Sequence, residues 1–302
     1  MRGQKIMKAT EWKLGMSSCS TGKLDKETFD GYAANGISCM EVALGNEHTP
    51  VDWKNTLALS RDSGVELWSL HLPFYPFETL NIATNDTKLR NRTIEFLTEN
   101  YIKRGADIGI KTAVIHPSAE PYAENEREEL IKVGAESLAE LAESAAKCGM
   151  RIAVEDLPRT CLGNCSDDIK KLIALNDKLR VCLDTNHLLA EKNVDFVKAL
   201  GDKIVTLHVS DYDYLNERHW LPYEGKVDWV ELVSALEDAG YAGPFMYEIE
   251  HKTSKTIVRR DLTCADFAEN YKACVEKRPY KTFGVPNIDE CMKNAYYKTP
   301  MI

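Results

Sequence analysis

Hydrophobic positions along the chain alternate between two patterns. Short runs rich in β-branched and aromatic residues are followed by longer runs in which apolar residues recur with a helical period. Several short runs are apolar on both faces, which is typical of parallel strands covered by helices on both sides. Eight of these runs predict strands, at Leu14–Ser20, Ile37–Leu44, Glu66–Pro73, Thr112–Ser118, Arg151–Leu157, Arg180–Asp184, Ile204–Ser210 and Pro244–Ile249.

Helical patterns fill the intervals between the predicted strands. The clearest covers Glu126–Cys148, and Gly149 follows it as a stop signal. Asp86–Gly105 and Asp228–Gly240 show the same pattern, and each ends on a glycine before the next strand. Eight β-then-α units without a dividing linker predict an α/β fold, a closed (β/α)8 TIM barrel in a single domain. A doubly wound open sheet is the alternative, but the sequence lacks the Gly-rich turn that this fold normally has after an early strand.

Length and composition narrow the class of protein further. We assign residues 1–278 to the barrel and residues 279–302 to a C-terminal tail that packs on the barrel or on a partner. The formal net charge of −9 gives no broad basic surface for nucleic acid. No apolar run is long enough to span a membrane, and the N-terminus lacks the apolar stretch of a signal peptide. The nine irregularly spaced cysteines suit reduced thiols, so we expect a cytoplasmic protein. From the charge and the apolar runs, we expect no membrane and no nucleic-acid partner.

Residues that bind metals or transfer protons stand at the ends of six predicted strands. They are His71, His116, Glu155, Asp184 with His187, His208, and Glu248 with Glu250. The C-terminal ends of barrel strands converge on one mouth, where active sites of this fold are built. One such residue alone is often only a buried or solvated polar group. Five of the seven histidines lie at or just beyond strand ends, with His48 and His251 close behind two others, and this joint occurrence favours a shared site.

The residue types at these strand ends indicate a metal. Carboxylates and imidazoles without cysteines favour a divalent ion such as Mn²⁺, Mg²⁺, Co²⁺ or Zn²⁺. Two buried carboxylates that face each other repel unless a cation or a proton lies between them. We therefore expect one divalent metal ion at the mouth of the barrel.

Seven stretches between residues 36 and 250 resemble the xylose isomerase-like TIM barrels. That family holds sugar and sugar-phosphate isomerases and epimerases together with the endonuclease IV-type abasic-site nucleases. The stretches are GISCMEVAL, SLHLPF, VIHP, RIAVEDLPR, VCLDTNHLL, TLHVSDYD with ERHWLPYEGKVDW, and GPFMYEIE. The resemblance implies a metal-dependent isomerase or epimerase that acts on a small-molecule sugar or sugar-like polyol. Relatives are commonly oligomers, so a homo-oligomer is consistent with it.

The ketose 3-epimerases of this family imply specific roles for four residues. By position, the resemblance assigns the metal to Glu155, Asp184, His208 and Glu248, with Glu250 as a competing choice on the last strand. Glu155 and Glu248 are also the expected catalytic pair, which moves the proton α to a carbonyl through an enediolate. Return of the proton on the opposite face gives epimerisation, and return to the neighbouring carbon gives isomerisation. The sequence does not choose between these outcomes.

A further set of residues is expected to bind the substrate. The resemblance implies this role for His187 and Arg218, and the expected set is completed by His71, His116 and His219. The hexulose 3-epimerases carry another Glu six residues after the ligand on strand 5, where this chain has Cys161. The identity of the sugar therefore cannot be carried over, and no Gly-rich loop indicates a phosphorylated substrate.

The nucleases of the family supply an alternative function. They bind three zinc ions, and this chain nearly fills their ligand set with His71, His116, Glu155, Asp184, His187, His208, His219 and Glu248. Glu217 stands where those enzymes have the Asp of an Asp-x-His motif. An endonuclease IV-type multi-zinc phosphodiesterase ranks second, because the chain is acidic and the loops after strands 2 and 3 have almost no Lys or Arg. A barrel that has lost catalytic activity ranks third, because the nearly intact set of metal-ligand residues argues against it.

Overall fold

The computed structural model describes residues 7–43 and 50–302. Eight parallel strands form one sheet, in which neighbours along the chain pair and β1 also pairs with β8. They are β1 (Leu14–Ser17), β2 (Cys39–Val42), β3 (Glu66–His71), β4 (Thr112–Ile115), β5 (Arg151–Glu155), β6 (Arg180–Asp184), β7 (Ile204–His208) and β8 (Phe245–Tyr247). Val209, just after β7, bridges to Tyr247 and donates its N–H to the carbonyl of Met246 at 2.8 Å. This bridge closes the sheet, and the predicted single-domain (β/α)8 barrel is confirmed.

Helices connect the strands and begin where the sequence supplies caps. They are α1 (Lys26–Ala34), α2 (Trp53–Ser63), α3 (Thr87–Leu97), α4 (Lys103–Asp107), α5 (Arg127–Lys147), α6 (Ser166–Ile173), α7 (Asn193–Leu200), α8 (Trp229–Asp238), α9 (Cys264–Val275) and α10 (Ile288–Lys293). The side chains of Asp25, Asp52, Asp86 and Asp228 each accept a backbone N–H in the first turn of a helix. The helix predicted over Asp86–Gly105 is interrupted by a π-helical turn at Thr98–Ile102. No helix in the described part of the chain is long and apolar enough to cross a membrane.

The observed strands begin close to the predicted positions, but several end earlier. The first ends at Ser17, because the side chain of Ser17 accepts the N–H of Cys19 and starts a 3-10 turn over Ser18–Ser20. The predicted extension of this strand to Ser20 is therefore wrong. Leu44, the predicted end of the second strand, and His48 lie outside the described residues.

Apolar side chains pack on both sides of the barrel wall. Val114, Ala153 and Cys182 form a small buried cluster from three adjacent strands. On β5 and β6, two of these residues stand two positions before Glu155 and Asp184, so alternation places those acids on the same face, toward the interior. A much larger cluster, which includes residues of the strands and the surrounding helices, forms the main core.

The C-terminal segment contacts the barrel beside its mouth. β9 (Ile257–Val258) pairs antiparallel with β10 (Val285–Pro286). Cys291 of α10 packs in a buried cluster with Trp220 and Ile257. The backbone N–H groups of residues 296 and 297 donate to the carbonyl of Leu215 at 2.9 and 3.0 Å. The segment after residue 284 thus lies against the loop that follows β7.

Candidate functional site

Four acidic and imidazole side chains meet at the carboxyl ends of β5 to β8. Glu155, Asp184 and His208 are the last residues of their strands, and Glu248 directly follows β8. One ligand atom from each of the four lies within 4.8 Å of the others. His208 Nδ1 is 3.0 Å from Glu155 Oε1 and 3.4 Å from Glu248 Oε2. The structure thus brings together the four residues expected to bind metal, whereas Glu250 is exposed and outside the groups found in the described residues.

Two further histidines contact the other carboxylate oxygen of Glu155. The Nε2 atoms of His71 and His116 lie 3.1 and 3.4 Å from Glu155 Oε2. Phe74 stacks on the ring of His116, with 3.9 Å between centroids. His71, Glu155 and His208 therefore form a second group with metal-ligand geometry that shares two residues with the first.

One residue after β6 and two residues of the loop after β7 form a third group next to the first. His187, Glu217 and His219 place ligand atoms within 4.8 Å of one another. His187 Nε2 is 3.1 Å from Glu217 Oε1 and 3.5 Å from Asp184 Oδ2. Arg159 forms ion pairs with Glu217 and with Glu120, so it orients the Glu217 carboxylate from outside the group.

Hydrogen bonds to backbone carbonyls fix the tautomers of three histidines. Each donates from Nδ1: His71 to Leu72 O at 2.9 Å, His187 to Asp156 O at 2.8 Å, and His219 to Glu248 O at 3.1 Å. A carbonyl oxygen can only accept, so Nδ1 carries the proton and Nε2 of the neutral ring keeps its lone pair for the site. Histidines that bind metals are held in the same way.

His208 is oriented by Glu41. Its Nε2 lies 3.0 Å from Glu41 Oε1, and both side chains are fully buried. The other oxygen of Glu41 accepts a hydrogen bond from Ser69 at 2.8 Å. Because Glu41 accepts from Nε2, the Nδ1 of His208 is the atom that faces Glu155 and Glu248. Glu41 thus positions the ring of His208, one of the four residues expected to bind metal.

Burial and mutual charge shift the pKa values within this cluster. Burial raises the pKa of Asp184 well above its ordinary value, and the nearby Glu248 adds to the shift against the opposing effect of His187. Burial lowers the pKa of His187, but Asp184 and Glu217 outweigh it and hold that pKa well above its usual range. Without a cation, therefore, the protein must retain protons among these carboxylates and imidazoles.

The residues present fit a divalent cation. Asp184 Oδ2 is buried and accepts no hydrogen bond from the residues that the structure describes. An unpartnered buried carboxylate oxygen is costly unless a ligand satisfies it. Together with the Nε2 atoms that face the cluster and the clustered carboxylates, this atom matches the oxygen and nitrogen ligands that Mn²⁺, Mg²⁺, Co²⁺ and Zn²⁺ accept.

A cavity of about 320 Å³ opens beside the cluster. Its lining includes His219 and Glu248 as well as Arg218. The guanidinium of Arg218, however, pairs with Asp213 at 2.9 Å and donates to the carbonyl of Cys291 at 2.9 Å. Arg218 thus borders the cavity while anchoring the loop after β7 to the C-terminal segment.

Sequence reasoning missed several supporting residues. Asp156 Oδ1 accepts the N–H of Asp184 at 2.8 Å, and its carbonyl orients His187. Asn186 Oδ1 accepts the N–H groups of Arg218 and His219 at 2.8 and 3.3 Å. The only signal for Asp156 is an acidic residue next to Glu155 after a buried run. Asn186 gave no signal, since its role depends on a loop that is distant in the chain.

Comparison with known proteins agrees with this architecture. A protein of Methanocaldococcus jannaschii without an assigned function is 24% identical over 292 residues, which cover 89% of this chain and 94% of that protein. Fructoselysine 3-epimerase of Escherichia coli O157:H7 is 34% identical over 115 residues, 36% of this chain and 42% of that enzyme. The crystal structure of a D-tagatose 3-epimerase-like protein has a TM-score of 0.72 at 23% identity, covering 88% of this chain and 96% of that one. The family model for the xylose isomerase-like TIM barrel matches residues 29–267, and the chain belongs to that family.

Proposed function

We propose that this protein is a metal-dependent isomerase or epimerase of a sugar or sugar-like polyol, and that Glu155 and Glu248 transfer the proton. One observation carries the proposal. The four ligand residues at the ends of β5 to β8 converge within 4.8 Å beside a cavity, and one of their carboxylate oxygens, Asp184 Oδ2, accepts no hydrogen bond in the described structure. The relatives named as sugar 3-epimerases support the same reaction class.

Glu155, Asp184, His208 and Glu248 would hold the cation. A divalent cation there supplies positive charge that favours removal of the weakly acidic proton next to a sugar carbonyl. The chain contributes the orientation of its own ligands, since Glu41 fixes the ring of His208 and Asp156 fixes the ring of His187. If the proton of either ring moved to its other nitrogen, that ring would present an N–H to the cation site in place of a lone pair.

The two glutamates occupy different environments. The side chain of Glu155 is 1% exposed, whereas that of Glu248 is 16% exposed and lines the cavity. Glu248 is therefore the carboxylate that meets the substrate from the open side, and Glu155 acts from the interior of the barrel. Burial opposes ionisation of Glu155, but His208 and His116 outweigh it and keep its pKa well below the ordinary value. Glu155 is thus ionised at neutral pH, which is the protonation state that a general base requires.

Solvent-deuterium exchange tests this proposal. The metal-loaded enzyme is offered ketoses, aldoses and inosose-type polyols in D₂O, and exchange at the carbon next to the carbonyl is followed by NMR. Glu155→Gln and Glu248→Gln are each expected to lower exchange by about 10²–10⁴-fold, the usual contribution of general acid–base groups. Glu95→Gln makes the same chemical change at an exposed position of α3 away from the cavity, so this control should keep the activity. Elemental analysis of each variant separates lost proton transfer from lost metal, and full exchange in both variants would overturn the assignment.

A second candidate is a multi-zinc phosphodiesterase of the endonuclease IV type. The group His187, Glu217 and His219 favours it, because this group extends the ligand set beyond what one cation needs. Cleavage of a duplex that contains one abasic site, by zinc-loaded enzyme, is the direct assay. Cleavage that disappears in Glu217→Gln would favour this candidate. Our first proposal expects no cleavage.

A further inference from the structure

We propose that Asp211 is a positioning residue that holds the ring of His219 at the substrate cavity beside Glu248. The inference rests on the proposed function in one respect, because it takes His219 as a residue that binds the substrate. Asp211 lies in the loop after β7, is fully buried and does not border the cavity. It can therefore act on the site only through the loop that contains both residues.

The backbone of His219 has a conformation that needs support from its surroundings. Its φ is +50°, in the left-handed region that residues with a Cβ rarely adopt. The ring donates from Nδ1 to the carbonyl of Glu248 at 3.1 Å, and the backbone N–H donates to Asn186 at 3.3 Å. Such a conformation persists only where the surrounding structure fixes it. A looser loop would let the backbone of His219 relax, and its ring would then leave the carbonyl of Glu248.

The backbone of Asp211 fixes the residue that follows His219. Its N–H donates to the carbonyl of Trp220 at 2.7 Å, and the N–H of Trp220 donates to the carbonyl of Asp211 at 2.9 Å. These two reciprocal bonds form an antiparallel bridge, which closes the segment between Asp211 and Trp220 into a loop. His219 is the last residue inside this closed segment, so its position depends on the bridge.

The carboxylate of Asp211 accepts four N–H groups. Oδ1 accepts the backbone N–H groups of Tyr212 and Val227 at 2.8 and 3.1 Å. Oδ2 accepts the backbone N–H of Tyr223 and the indole N–H of Trp229, both at 2.8 Å. Burial raises the pKa of Asp211 to about 6 against the effect of these donors, so the carboxylate is ionised at neutral pH. An asparagine would turn its NH₂ toward two of the four donors, and the loop would lose those hydrogen bonds.

A double-mutant cycle tests whether Asp211 acts through His219. Asp211→Asn should raise KM for the sugar about tenfold, the contribution of one hydrogen bond to the substrate, while the number of bound metal ions stays unchanged. In the His219→Gln background, the same substitution should raise KM no further. Asp228→Asn is the matched control, because it makes the same change in the same loop at a helix cap that asparagine also satisfies. Additive effects of the two substitutions on KM, or an equal effect of the control, would overturn the inference.

The ring of His219 gives a second measurement that needs no turnover. Nitrogen-15 NMR of the histidine rings in metal-free protein at alkaline pH shows which ring nitrogen carries the proton, and His219→Gln identifies the signals of His219. The wild type should show the Nδ1–H tautomer, and Asp211→Asn should show a mixture of both. Trp229→Phe removes one donor and keeps the carboxylate, so it should change the ratio in the same direction if Asp211→Asn does not fold.

The two measurements separate this inference from the proposed function. An unchanged tautomer of His219 in the folded variant would overturn the inference even if the enzyme turns over a sugar. The expected change of tautomer without turnover of any sugar would reject the proposed function and still support the positioning of His219 by Asp211.

Discussion

Replacement of Glu41 by Gln tests how the ligand set is oriented. Glu41 lies in the barrel interior and is expected to touch neither metal nor substrate. It accepts a hydrogen bond from Nε2 of His208 at 3.0 Å and from Ser69 at 2.8 Å. A glutamine keeps the shape and one acceptor oxygen but removes the negative charge. We expect Glu41→Gln to fold normally and to bind the divalent ion more weakly.

The size of the loss follows from the kind of hydrogen bond that changes. A hydrogen bond to a charged group contributes about 1.5–3 kcal/mol, and a neutral one contributes about 0.5–1.5 kcal/mol. Both Glu41 and His208 are fully buried, so solvent screening does not weaken the difference. The loss is therefore about 1–1.5 kcal/mol, or roughly a tenfold higher Kd for the ion. This agrees with the roughly 10–100-fold cost of removing the partner of a metal-binding histidine.

Isothermal titration of the metal-free protein with Mn²⁺ or Co²⁺ measures this effect. Glu250→Gln serves as the matched control, because it makes the same chemical change at the mouth but outside the ligand cluster. The reasoning requires a weaker affinity in Glu41→Gln and an unchanged affinity in the control. An affinity for Glu41→Gln within about twofold of the wild type would refute the view that Glu41 positions His208 for metal binding.

Two further predictions concern stability. Asp266 pairs with Arg260, which holds the pKa of Asp266 at about 2 instead of 3.8. The contribution of this ion pair to the free energy of unfolding is therefore present above pH 4 and is lost as the pH falls toward 2. Arg260 is half exposed, so Asp266→Asn should cost only about 1 kcal/mol of unfolding free energy at pH 6. Urea titrations should show the difference in stability between wild type and variant shrinking by pH 3. A difference that stays constant with pH would contradict the ion-pair explanation. A Cβ at Gly225 would lie 2.2 Å from Oδ1 of Asp211, so Gly225→Ala should cost at least about 1–3 kcal/mol of unfolding free energy. A Cβ at Gly31 in α1 would have Sγ of Cys264 as its nearest neighbour, at an unstrained 4.0 Å, so Gly31→Ala should stabilise by about 0.5–1 kcal/mol. Similar changes in the unfolding free energy of the two glycine variants would contradict this assignment.

The barrel was predictable from the sequence because its signals are local. Apolar runs of strand length alternate with helical periods, and each acid or histidine that follows such a run points to the same mouth. The ends of the strands and helices were harder to predict from the sequence. Ser17 terminates the first strand through a side-chain hydrogen bond to the next turn, and the helical pattern continues through the π-helical turn after Leu97 without a break that would mark it.

The supporting interactions of the site were not predictable, since they join distant parts of the chain. Glu41 and His208 are 167 residues apart, and only the closed barrel brings them within hydrogen-bond distance. Arg218 is expected to bind substrate, and it borders the cavity. Its observed contacts with Asp213 and Cys291 depend on where the C-terminal segment lies. Spacing in the sequence contains no information about such contacts.

The number of metal ions bound per chain tests the central claim most directly. Native mass spectrometry of the full chain, loaded with a divalent metal and dialysed, measures it for the wild type and for Asp184→Asn. We predict one divalent ion in the wild type and its loss in Asp184→Asn, because the buried Oδ2 of Asp184 accepts no hydrogen bond in the described structure and the substitution removes the negative charge beside it. A wild type that binds no ion, or a variant that binds it as well as the wild type, would contradict the claim that these strand ends form a metal centre.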